Sequence, residues 1–189
     1  MNIVTLKLDT VRLTDEQFYE ICQNNRELKF ERTALGDLIV MPPVGGESGN
    51  READLIIDLG LWNRQTCLGY TFSSSTIFKL PNGADRSPDA AWVEKQRWEK
   101  LTPEQRRKFP PIAPDFVIEL RSATDDLQQL RSKMQEYLDA GVKLGWLINP
   151  QQQQVEIYRP QEEVETRNLP TSLSGENILP GFSLNLPVY

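Results

Sequence analysis

Pro114-Asp115-Phe116-Val117-Ile118-Glu119-Leu120-Arg121 is the stretch around which the 189-residue chain organises. A proline opens it, and β-branched and apolar residues fill it at period two, the pattern of a strand. Alternation places Asp115, Val117, Glu119 and Arg121 on one face and Phe116, Ile118 and Leu120 on the other. Glu119 and Arg121 then point the same way, roughly 6 to 7 Å apart along the strand. A second β-type run, Arg86-Ser-Pro-Asp89-Ala-Ala-Trp-Val93, precedes it. If the two runs are neighbours, the Asp89 carboxylate sits beside Glu119.

Downstream, Ser122-Ala-Thr-Asp125 reads as a helix start, with Leu127, Leu130, Met134, Tyr137 and Leu138 on one face and Gly141 as the stop. Lys133 lies about 70° from the centre of that stripe, at the margin of the buried face. Leu144 to Ile148 is apolar almost without a break, as in a strand buried on both faces, and Val155 to Tyr158 follows it. From Pro160 onward, prolines and short alternating segments predict loops and edge strands.

Upstream, the spacing predicts a helix over Thr14 to Asn24, with Cys22 in its apolar stripe and therefore in the core. Leu28 to Thr33 and Asp37 to Met41 form a hairpin around Gly36, closed by Pro42-Pro43. Val44 to Asn50 reads as a loop feeding a long amphipathic helix over Arg51 to Thr66. Tyr70 to Ser73, Thr76 to Leu80 and Asp89 to Val93 read as a three-strand meander. Glu94 to Lys108 is rich in Lys and Arg around Trp98; a solvated helical excursion is its ordinary reading and a phosphate-contacting arm the sharper one.

Composition narrows the chemistry. The 21 Lys plus Arg and 27 Asp plus Glu leave a net charge of −6, and there is no histidine. Imidazole base catalysis, Ser-His-Asp and Cys-His arrangements and His-ligated zinc are excluded. At roughly 150 residues per domain the length predicts a single domain, with no staple needed. No apolar run approaches the ~20 residues of a membrane span, the N-terminus lacks a secretory pattern, and Cys22 and Cys67 form no CxxC pair. A cytoplasmic protein is expected. The acidic balance weighs against a nucleic-acid partner, although a local basic surface counts for more than the sum.

Two carboxylates on adjacent strands with a cation nearby are a device for hard-metal chemistry on a phosphodiester: they bind Mg²⁺ or Mn²⁺, and the cation steadies phosphate charge. The ordinary alternative is an intrastrand Glu119–Arg121 ion pair with Asp89 capping a turn, and spacing alone favours it. Lys133 tilts the balance, because a lysine at that margin reaches across the sheet end. Glu31 in the first hairpin and Glu47 before the long helix are further carboxylates that converge if the elements pack together; at Glu47 a helix-dipole role is the simpler reading.

The ordered phrases Phe30-Glu31, Gly36-Asp-Leu-Ile-Val-Met-Pro42, Ser87-Pro-Asp89, Pro114 to Ser122, Lys133-Met-Gln-Glu-Tyr137 and Gly141 to Pro150 resemble the PD-(D/E)XK nuclease superfamily. They are most similar to its bacterial branch of uncharacterised restriction-endonuclease-like proteins. The resemblance implies an α/β restriction-endonuclease-like sandwich, a central mixed sheet flanked by helices. It divides the single domain 1–189 into an N-terminal helix-hairpin extension (1–45), a nuclease core (46–159) and C-terminal loops and edge strands (160–189). It makes Asp89 and Glu119 the metal ligands, with Mg²⁺ as cofactor and Mn²⁺ as substitute. It also implies DNA as partner, no membrane, and a homodimer for cutting both strands. Arg121 stands where the family's motif lysine usually lies, and with a pKa above ~12 it is no base near neutrality, though it can steady phosphate charge. Lys133 matches the place on the following helix from which related branches supply the lysine. Glu47 matches an acidic residue at the start of the first core helix, but Glu47-Ser48 replaces a histidine that many relatives carry there. Glu31 matches a family motif. The implied activity is a metal-dependent DNA endonuclease; the alternative is an inactive nuclease fold kept as a nucleic-acid-binding or assembly module.

Overall fold

The computed structural model describes residues 3–189. In chain order its elements are β1 (Val4–Leu6), α1 (Asp15–Asn24), β2 (Lys29–Arg32), β3 (Leu38–Met41), α2 (Gly46–Thr66), β4 (Gly69–Ser73), β5 (Phe78–Lys79), β6 (Asp85–Arg86), β7 (Ala90–Glu94), α3 (Lys95–Glu99), α4 (Pro103–Arg107), β8 (Phe116–Leu120), α5 (Leu127–Asp139), β9 (Leu144–Asn149), β10 (Gln154–Tyr158), β11 (Glu165–Asn168), β12 (Thr171–Ser174) and β13 (Ser183–Leu186).

The central sheet is mixed, ordered β11-β10-β9-β8-β7-β4, with β8 and β9 parallel and the other pairs antiparallel. A parallel pair needs a crossover, and α5 supplies it. The two faces of β8 divide as its alternation predicts. Phe116, Ile118 and Leu120 pack with Leu55, Leu59 and Trp62 of α2, whereas Val117 packs with Met134 and Tyr137 of α5. Every residue of β8 and β9 is buried. This is the mixed α/β sandwich expected of the chain, with helices on both faces of the sheet. The strands β12 and β13 form a separate hairpin that adds Leu173, Leu184 and Leu186 to the α2-side core.

The second sheet, β1-β3-β2-β6-β5, departs from the meander reading. β4 and β7 pair with each other, while β5 and β6 between them leave to extend the N-terminal hairpin, with Arg32 opposite Asp85. Period two marks a residue as strand-like but does not name its partner. Other differences are local. α2 begins at Gly46, earlier than the predicted Arg51, with Gly49 N–H donating to the Gly45 carbonyl at 2.9 Å. Extending an established helix adds one bond per residue fixed, so two glycines are tolerated at its end. Ser122 to Asp125 is a turn rather than a helix start, because the Asp125 carboxylate accepts from Ser122 N–H at 2.7 Å. The cap is Asp126, which accepts from Gln129 N–H at 2.8 Å.

Two smaller expectations are met. Cys22 packs at the edge of the Phe18, Phe30 and Leu38 cluster, and burial pushes its thiol up to about 11, an unreactive setting. The basic excursion is helical, as α3 and α4. Trp98 packs on Phe72 with ring centroids 4.8 Å apart and the planes tilted by 55°, and Arg97 pairs with the buried Asp115 at 2.8 Å. Among the described residues no helix is long and apolar enough to cross a membrane.

Candidate active site

The register of the central sheet sets the site. Ala90 of β7 lies opposite Ile118 of β8, so the next position outward puts Asp89 across from Glu119. Asp89 is fixed by its own strand partner: its Oδ2 accepts from Leu120 N–H at 2.7 Å. Among the described residues its Oδ1 meets only the Lys29 ammonium, at 4.0 Å, and the side chain keeps 20% of its surface exposed. Glu119 faces α5. Its Oε1 receives the Lys133 ammonium at 2.8 Å and the Tyr137 hydroxyl at 2.9 Å. One turn of α5 thus delivers a cation and a phenol to one carboxylate oxygen, as residues i and i+4 on a common face.

Lys133 also reaches Glu31 Oε1 at 2.8 Å, so its ammonium bridges the second sheet to the first. Glu31 is saturated: Ser87 N–H donates to Oε1 at 2.9 Å and Arg86 to Oε2 at 3.0 Å. Arg86 in turn donates to Glu136 of α5 at 2.5 Å. These groups stand at the floor of an open cavity of about 1050 Å³, walled by β2, β3, the start of α2, the end of β8, the turn after it, and α5.

Burial and charge separate the carboxylates. Burial raises Glu31, but Lys133, Arg86 and the Ser87 N–H outweigh it and hold the group at about 2, firmly ionised. Asp89 goes the other way, pushed up to about 7 by burial and then by the Glu119 charge. Glu119 is also raised, by burial first, with Lys133 opposing and Glu31 reinforcing. Burial disfavours the Lys133 charge, yet Glu119 and Glu31 on either side hold its proton well above the ordinary lysine value. Tyr137, raised by burial and by those carboxylates, remains a neutral donor. An acidic pair short of one positive charge has the electrostatics of a divalent-cation site. The donors are hard oxygens. Among the described residues no group of three or more Asp, Glu, Cys or His could together hold a metal ion; an ion held by two carboxylates would take its other ligands from water and substrate phosphate.

Asp89, Glu119, Lys133 and Glu31 therefore come together. Glu47 and Arg121 do not join them. Glu47 is 90% exposed at the cavity rim and pairs with Arg51 at 3.7 Å. β8 ends at Leu120, so strand alternation no longer governs Arg121. Its guanidinium donates to the Asp125 carbonyl at 3.2 Å and to Asn149 Oδ1 at 3.4 Å. Three polar members of the network were not singled out in the sequence. Arg86 sits in a phrase that reads as punctuation, Tyr137 in a stripe that reads as core, and Lys29 at the start of a hairpin strand. The i, i+4 spacing of Lys133 and Tyr137 was an available signal for Tyr137; Arg86 and Lys29 carried none.

The Uma2 family, described as "Putative restriction endonuclease", matches residues 15–187. The chain belongs to the Uma2 family. A crystal structure described as "a putative nuclease belonging to DUF820" from Anabaena variabilis is similar to this Uma2 chain with a TM-score of 0.71. The alignment covers 83% of this chain and 87% of that one at 21% identity, a likeness of fold. No curated protein matches the chain in sequence. Family and fold together bear out the resemblance to the restriction-endonuclease-like nucleases.

Proposed function

We propose that this Uma2 protein is a divalent-metal-dependent endonuclease that hydrolyses phosphodiester bonds of DNA. The convergence of Asp89, Glu119 and Lys133 on the floor of one open cavity carries the reading. Asp89 and Glu119 would hold Mg²⁺, or Mn²⁺ in its place. The ion would supply Lewis-acid polarisation of the phosphate and a lowered pKa for a bound water.

The chain's own groups do the rest. Lys133 keeps its proton, so it acts as a fixed positive charge and N–H donor rather than a base. With two of its donor directions spent on Glu31 and Glu119, the third is free for a phosphoryl oxygen or the attacking water. Tyr137 and the Leu120 N–H hold the two carboxylates in place and, as donors, favour their ionised forms against the burial that opposes them. Arg121, tied to the Asp125 carbonyl, orders the turn that walls the cavity.

A second reading, a nuclease fold that binds or assembles without cutting, draws on the acidic cavity: Glu47, Glu52, Asp125 and Asp126 line it alongside the central carboxylates. Relaxation of supercoiled plasmid separates the two. The wild type is expected to nick DNA with Mg²⁺ or Mn²⁺ and not with EDTA, and Asp89→Asn or Glu119→Gln should lower the rate by at least about a hundredfold, the scale of removing one electrostatic catalytic group. Nicking that survives both substitutions, or that ignores the metal, would sink the proposal.

A further inference from the structure

Resting on the nuclease reading for its catalytic consequence, though not for its geometry, we infer that Glu31, Arg86 and Glu136 form a positioning relay that aims the Lys133 ammonium. Glu31 is thus a partner of the lysine rather than a metal ligand. Its Oε1 is shared by Lys133 and the Ser87 N–H, and its Oε2 is taken by Arg86. No carboxylate oxygen of Glu31 is left without a donor. Asp89 differs, with an oxygen that among the described residues meets only a distant Lys29.

The relay closes on itself. Lys133 and Glu136 lie three residues apart on α5; Lys133 binds Glu31, Glu31 binds Arg86, and Arg86 returns to Glu136. The loop ties the N-terminal sheet, which carries Glu31 and Arg86, to the crossover helix of the central sheet. Two anchor points on one helical face fix its roll as well as its distance. A lysine side chain has four rotatable carbons and large rotamer entropy. Held between Glu31 and Glu119, its ammonium loses that freedom before substrate arrives, which is the structural form of pre-organisation. Arg86 suits the task because its planar fork reaches two carboxylates in fixed directions, which an ammonium does not do.

The test uses the full chain and three readouts. Glu31→Gln keeps the size of the side chain and an acceptor oxygen but removes the charge; Glu136→Gln loosens Arg86 from the far side with Glu31 intact. In both, calorimetric Mn²⁺ affinity is expected to stay within about threefold of wild type, whereas Asp89→Asn abolishes the heat. Amine labelling read by mass spectrometry should find Lys133 protected in wild type and several-fold more reactive in both variants. In plasmid cleavage, kcat should fall at least tenfold for Glu31→Gln and less for Glu136→Gln, with KM nearly constant, and Arg86→Lys should restore little.

Loss of the Mn²⁺ heat in folded Glu31→Gln would make Glu31 a ligand and overturn the inference. Unchanged labelling and kcat in Glu136→Gln would overturn it as well, and this variant decides the matter if Glu31→Gln does not fold. Changed labelling with retained Mn²⁺ binding, in a wild type that cuts no DNA, would uphold the relay and refute the nuclease reading.

Discussion

At the scale of residues, one ammonium, that of Lys133, serves two buried carboxylates, Glu31 and Glu119. Lys133→Met keeps the length of the side chain and removes the charge, leaving Glu31 and Glu119 facing each other without their shared cation. Breaking a buried pair by removing one partner costs about 3 to 5 kcal/mol. A loss of that order is expected in urea denaturation, together with loss of nicking; a variant as stable as wild type would show that the bridge is not formed. Strand and helix periods put Glu119 on one face of its strand and Lys133 at the margin of its helical stripe, but spacing alone favours an ordinary ion pair; Lys133 and the family resemblance together join Asp89, Glu119 and Lys133 into one candidate site. Arg86 was not legible, since its role arises from contacts between elements far apart in the chain: Arg86 reaches Glu136 across 50 positions.

At the scale of elements, the sheet register is what brings Asp89 to Glu119, and the β4–β7 pairing holds β7 in place from its other side. Gly69, opposite Glu94 at the start of β4, makes that pairing close: an added Cβ would overlap the Val93 carbonyl and the Trp92 ring. Backbone and a buried indole cannot yield, so Gly69→Ala should destabilise by about 3 kcal/mol, the upper end for overpacking, measured by thermal or urea unfolding. A neutral effect would mean that β4 packs more loosely than described. The bodies of α1, α2 and α5 and the buried character of β9 were readable from the pattern. The split of the supposed meander between two sheets was not, because β5 and β6 are two residues each and carry no pattern that selects β2 over β4 as neighbour. The early start of α2 was hidden by glycines whose low propensity marks a loop.

At the scale of the whole molecule, the net charge of −6 has a focus in the cavity, and its consequence is a dependence on pH. Asp89 titrates at about 7 in the folded chain against an ordinary 3.8. Between those values the folded protein keeps a proton that the unfolded chain has released, so stability of the metal-free protein falls as pH rises through that window, by at most about 1.4 kcal/mol per pH unit. It then levels off above about 7. Glu31, held at about 2, acts in the opposite sense: its stabilisation is present above its ordinary value and is lost as pH falls toward 2. Thermal melts across the window should show the decline in wild type and a flatter curve in Asp89→Asn; identical curves would mean that Asp89 ionises normally. The absence of histidine, which excluded so many mechanisms at the outset, leaves this carboxylate pair as the metal-binding chemistry the fold offers. Anomalous diffraction from a crystal soaked in Mn²⁺ would locate the ion. A peak bound by Asp89 and Glu119 beside an unmoved Lys133 is expected; no peak there, or a peak elsewhere, would rule out this pair as the metal site.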